Sequence, residues 1–84
     1  MIGKFAISKA GHDKNQIYVI VAEEGEFVLL CDGKYKPLSK PKKKRKKHIQ
    51  VIDRTVDELL LTKLRNHEKV MDEQIKFNIK NIKQ

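Results

Sequence analysis

The chain has 84 residues, 39% of them hydrophobic, and carries a net charge of +8. A chain of this length buries roughly 60–65% of the surface it exposes when unfolded, so it holds one modest core and no deep two-lobed catalytic cleft. The start "MIGKFAISKA" has its apolar residues interrupted by Gly3, Lys4, Ser8 and Lys9, which argues against a signal peptide or a membrane span and leads us to expect a cytoplasmic protein.

Alternation opens the chain. In "GKFAIS" Phe5 and Ile7 share one face of a strand of period two. "AGHDKNQ" breaks the pattern with turn formers, and "QIYVIVAE" resumes it, with Ile17, Val19 and Val21 on one face and Tyr18 and Ile20 on the other. "EEG" is a tight turn and "EFVLLC" a third strand. The Asp-Gly of "CDGK" is a hairpin signal that predicts a fourth strand over Lys34–Leu38, at a sheet edge because Pro37 has no backbone donor. "HIQVI" supplies a short fifth strand with Ile49 and Val51 on one face. Five short strands in about fifty residues suggest a small barrel. Tyr18, Ile20, Val28 and Leu30 would face outward from it and need a cover.

The cover follows. "TVDE" reads as a capping box in which Thr55 and Glu58 satisfy each other's amides, and Val56, Leu59, Leu60 and Leu64 recur at helical spacing. Asn66 and His67 can end this helix, because asparagine tolerates the left-handed conformation, and Asp72 can cap a second one bearing Ile75, Ile79 and Ile82. A single long helix is the alternative. The expected fold is mostly β: a barrel over residues 1–53 and a C-terminal helical extension over 54–84, packed on it. Cys31 lies in an apolar run, with no second cysteine to pair with, and reads as a small buried hydrophobe.

The excess charge is local. Residues 1–39 carry five lysines and five acids, residues 40–47 seven cations and no acid, and residues 48–84 seven cations and six acids. The stretch "SKPKKKRKKH" is therefore a patch and not a general coating. Its letters suit a nuclear import signal, a tether to anionic lipid, a solvated linker or a nucleic-acid surface. A place between two predicted strands disfavours a free tail, and neither a lipidation motif nor an apolar anchor accompanies it. If the run is extended, alternate residues face opposite ways. With about four to six charges on phosphates, affinity would fall with salt at a log–log slope of roughly −3 to −5. In "SKAGHDKNQ", Lys9 and Lys14 flank Gly11, His12 and Asp13, where glycine allows close approach of a phosphate. Tyr18, Tyr35 and Phe77 could stack on bases but are expected in or near the core.

Catalytic constellations are missing: no Ser-His-Asp or Cys-His set at telling positions, no phosphate-binding glycine loop, and only scattered histidines at His12, His48 and His67. We expect neither an enzyme nor a metal or cofactor site.

"GKFAISKAGHDKNQIYVIV" resembles a KOW motif, two strands around a glycine-centred turn. Together with "DGKYKPLSKPKKKRKKHIQ" and the helical tail, it resembles the small KOW-domain proteins of bacteria, which are similar to KOW-type large-subunit ribosomal proteins of archaea and eukaryotes. The resemblance covers roughly Ile2 to Ile52 and implies an SH3-like barrel that binds RNA, commonly ribosomal RNA. The implied contacts fall on Lys9, Gly11, His12, Asp13 and Lys14, and on the basic segment Lys40, Lys42, Lys43, Lys44, Arg45, Lys46 and Lys47. In this chain Lys42 to Lys47 are expected to supply most of the affinity, with Lys9 and Lys14 positioning the RNA. Two departures stand out: His12 where the family often has arginine, and Asn15 where it often has glycine. The expected state is a ribosome-associated monomer. The alternative is a protein-interaction module docking a transcription or translation factor, and a ribosomal or translation-factor protein is the second partner expected.

Overall fold

A computed structural model describes residues 1–83. It contains five strands, β1 (Lys4–Ser8), β2 (Ile17–Glu24), β3 (Phe27–Cys31), β4 (Lys42–Arg45) and β5 (Ile49–Thr55), then helices α1 (Glu58–Arg65) and α2 (Asp72–Lys83). The strands form one antiparallel sheet in the order β4-β3-β2-β1-β5. No ladder joins β4 to β5, so the sheet is not closed. It is nevertheless rolled. In a flat sheet the two edges would lie about 19 Å apart at the usual strand spacing, yet β4 passes into β5 through one 3₁₀ turn, Lys46–His48, which rises only about 6 Å.

The fourth strand is not where the Asp-Gly signal puts it. Asp32 accepts hydrogen bonds from the amides of Lys34 and Lys36, both at 2.8 Å. Lys36 O accepts from the Asp32 amide at 3.0 Å. The side chain thus ties the segment into a compact turn in place of a two-residue hairpin. Residues 32–41 form a loop, and the basic run itself becomes β4, its Lys42 to Arg45 opposite Leu30 to Phe27. An edge strand made of cations also protects that edge from pairing with another chain.

Two clusters of buried residues lie on the sheet's two faces. One holds Ala6, Tyr18, Ile20, Val28, Leu30 and Ile49, with Val51 against it. The helices do not contribute to that cluster, so the rolled sheet buries this face against itself. The other joins Phe5, Val19 and Cys31 to Val56, Leu60, Leu64, Ile75 and Ile79. The expectation that the helices cover Tyr18, Ile20, Val28 and Leu30 is therefore corrected: they cover the opposite face. Leu60 and Ile75 are fully buried there, each worth about 1.5–3 kcal/mol of burial.

The helix ends also differ from the sequence reading. Thr55 remains in the ladder opposite Lys4 and cannot turn to cap a helix. Asp57 caps α1 instead, accepting from the Leu60 amide at 2.8 Å. The helix stops at Asn66, as expected, but the left-handed residue is His67, at φ 56°. Asp72 heads the second helix, and its carboxylate holds the Leu38 amide at 2.8 Å. Asn78, buried on α2, donates to Asp57 at 3.1 Å and so ties the two helices together. No helix among the described residues is long and apolar enough to cross a membrane.

Candidate nucleic-acid interface

The β1–β2 loop and the basic run, about thirty residues apart in sequence, meet in space. The loop turns through two left-handed residues, Gly11 at φ 86° and Asn15 at φ 73°. Asparagine thus keeps the turn that glycine would otherwise supply. The Asn15 amide donates to Ser8 O at 2.8 Å, and the Lys9 amide to His48 O at 2.9 Å, which stitches the loop to the start of β5.

Asp13 sits at the centre. Its carboxylate accepts from Ser8 Oγ at 2.9 Å, Tyr18 OH at 3.0 Å and Lys44 Nζ at 2.7 Å. Lys44 Nζ also reaches Ala10 O at 2.7 Å and Ser8 Oγ at 2.5 Å. An ammonium has three protons, and all three are spent inside the protein. The side chains of Lys44 and Asp13 are only 10% and 11% exposed. Burial alone would push the Asp13 carboxyl up, but the hydrogen bonds from Lys44, Ser8 and Tyr18, with the ammonium's charge, hold it well below the usual carboxylate range. Burial, and then the bond to Asp13, push the Tyr18 hydroxyl upward.

Strand alternation explains why Lys44 is spent. Lys42 and Lys44 stand opposite Leu30 and Val28, on the self-buried face. Lys43 and Arg45 stand opposite Leu29 and Phe27, on the other face, where they flank the Phe27 ring at 4.7 and 4.9 Å from its centroid. The acids of the β2–β3 hairpin meet most of the remaining charge. Lys43 pairs with Glu24 at 3.5 Å, Arg45 with Glu26 at 3.6 Å, Lys46 with Glu23 at 2.9 Å, and Lys42 lies 3.7 Å from Asp13. These outer pairs are partly exposed and individually weak, so a phosphate can compete for their cations. Among the described residues, Lys9, Lys14, Lys40 and Lys47 have no carboxylate within 4 Å, and all four are exposed. His12 is exposed on the loop as well.

The stacking candidates divide. Tyr18 is buried at 3% exposure, as expected, but Tyr35 and Phe77 are 75% and 59% exposed, correcting their placement in or near the core. Cys31 is buried; its thiol is pushed up to about 12 by burial first and then by the Asp72 and Asp32 carboxylates. The signal that sequence reasoning missed is Asp13 as an anchor for Lys44. It lies in the match of one acid on a turn with one lysine facing inward from a strand, and a run of lysines gives no way to tell which one that is. No protein-family model and no curated protein matches the chain, so the functional reading rests on these residues.

Proposed function

We propose that the protein is a non-enzymatic RNA-binding protein of the KOW type, its rolled sheet an SH3-like barrel, and that it associates with the ribosome through ribosomal RNA. The observation that carries this reading is the convergence of two basic segments. The Asp13–Lys44 contact brings Lys9 and Lys14 of the loop beside the strand and turn that bear Lys40 to Lys47. Lys9, Lys14, Lys40, Lys46 and Lys47 form the contact surface, with Lys42 at its margin and the long side chains of Lys43 and Arg45 joining it around the sheet edge from the other face. Lys44 and Asp13 hold the loop in place and do not touch RNA. Gly11 gives the turn its shape, and His12, exposed on the loop, adds a hydrogen-bonding tip. Such a surface reads backbone and shape, which suits folded RNA.

The rival reading, a helix docking into a partner's groove, needs an unspent apolar stripe. Here Leu60, Leu64, Ile75 and Ile79 are buried against the protein's own sheet, which leaves Leu59 on α1 and Phe77 on α2 as the exposed apolar side chains such a contact would have to use.

Sedimentation of the tagged protein from native lysate on sucrose gradients tests the proposal. Migration with the large ribosomal subunit at low salt, lost at high salt, is the expected result. Persistence at the top of the gradient in both salts would count against a ribosomal partner.

A further inference from the structure

Beside this surface lies a groove of about 360 Å³ whose rim is basic and aromatic. Lys34 and Tyr35 come from the β3–β4 loop, and Lys76, Lys80 and Lys83 from α2. The three helical lysines are spaced i, i+4 and i+7, so they share one face and form a row about 10 Å long. None of the four lysines has a carboxylate within 4 Å among the described residues. Asp32 also lines the groove, but its Oδ1 is occupied by the Lys34 and Lys36 amides.

The groove is built, not incidental. Gly33 has φ 80°, and a Cβ there would stand 2.5 Å from Asp72 O and 2.8 Å from Lys76 Cγ. Only glycine lets the loop approach the helix this closely. The Leu38–Asp72 hydrogen bond fixes the far end of the same loop. Between these two fastenings the chain presents Tyr35, 75% exposed, with Lys34 Nζ 5.0 Å from its ring centroid. An aromatic ring held in solvent beside a row of lysines, unpaired among the described residues, offers a π-face for a base and cations for the flanking phosphates.

We infer that this groove is a subsite for an unpaired nucleotide segment of the bound RNA: one base stacks on Tyr35 while Lys76, Lys80 and Lys83 hold the adjoining phosphates. The inference rests on the RNA-binding reading above. The two surfaces are continuous, because Gln16 and Ile17 line the groove directly after Asn15 of the β1–β2 loop. A strand leaving the loop therefore enters the groove without crossing acidic surface at the β2–β3 hairpin.

Two probes decide it: a fluorescein-labelled ten-nucleotide oligouridylate and a fully paired RNA hairpin, each titrated by anisotropy. Tyr35→Ala is expected to weaken oligouridylate binding about tenfold with the salt slope unchanged, and to leave hairpin binding alone. Tyr35→Phe keeps the stacking face and should stay within about twofold of wild type. Lys76→Gln with Lys80→Gln should weaken oligouridylate binding and flatten the salt slope by about 1.4. The chain has no tryptophan and Tyr18 is buried, so quenching of tyrosine emission on binding reports directly on Tyr35. Equal oligouridylate affinity in wild type and Tyr35→Ala, or unquenched emission at saturation, overturns the subsite while RNA binding stands. Failure of the wild-type protein to bind either probe overturns the subsite together with the reading beneath it.

Discussion

The basic run of β4 and the lysines around α2 carry similar charge and differ in what surrounds it. In the run, Lys44 is spent on Asp13, and Lys43, Arg45 and Lys46 each face a glutamate of the neighbouring hairpin. Around α2, Lys34, Lys76, Lys80 and Lys83 line a groove with no ion-pair partner among the described residues. The densest charge in the sequence is therefore not the most available charge on the surface. Strand alternation and cross-strand neighbours decide how much of a basic run reaches a ligand.

The largest expected effect separates scaffold from contact. Lys44→Met leaves the Asp13 carboxylate largely buried with only the Lys42 ammonium, 3.7 Å away, and Asp13→Asn leaves Lys44 without its anion. Removing one partner of a buried pair costs about 3 kcal/mol, which in a chain of this size lowers the melting temperature by roughly 12–24 °C. Calorimetry near pH 7 checks it, and a shift under about 3 °C would show that the pair is not structural.

The same carboxylate sets an acid limit. Its folded pKa lies below the unfolded value of about 3.9, so its stabilisation is present above that value and is lost as pH falls through the lower folded one. Melting temperature should drop between about pH 5 and pH 2, and drop less steeply in Asp13→Asn. Parallel pH profiles would refute the assignment.

Next come the outward cations. Replacing Lys43, Arg45 and Lys47 together with glutamine is expected to weaken RNA binding at least about tenfold, as loss of two to three phosphate contacts implies. The melting temperature should hold within about 3 °C, since exposed ion pairs stabilise little. Unchanged affinity would remove these residues from the interface.

The smallest effect has the opposite sign. Glu23, Glu24 and Glu26 compete with phosphate for Lys46, Lys43 and Arg45. Neutralising all three to glutamine should tighten RNA binding by a few-fold, about what weak surface pairs are worth. Weaker binding in that variant would mean that the glutamates orient the cations and do not screen them.

Much of this architecture is legible in the sequence where side chains differ along the chain. The alternation in "QIYVIVAE" and "EFVLLC" gives β2 and β3, the Ile75/Ile79/Ile82 stripe gives α2, and Asn15 is readable as a left-handed turn residue. Where the residues are alike, or the partner is distant, local reading fails. "KKKR" has no polar–apolar period, so neither its strand nor the inward turn of Lys44 is visible until β3 supplies the register. The Asp-Gly pair misleads because the Asp32 carboxylate captures two amides and builds a longer loop. Which sheet face the helices cover is undecided locally too, since β2 and β3 are apolar on both sides. Tyr35 is exposed because Gly33 presses its loop onto α2, a contact between residues about forty positions apart.

The most direct test is the salt dependence of binding to purified ribosomal RNA, measured for the wild-type protein and the Lys43, Arg45 and Lys47 triple variant. A wild-type log–log slope of roughly −3 to −5, shallower by about two to three in the variant, is the expected result. A slope near zero, or one the three substitutions leave unchanged, would contradict a phosphate-binding role for the basic surface.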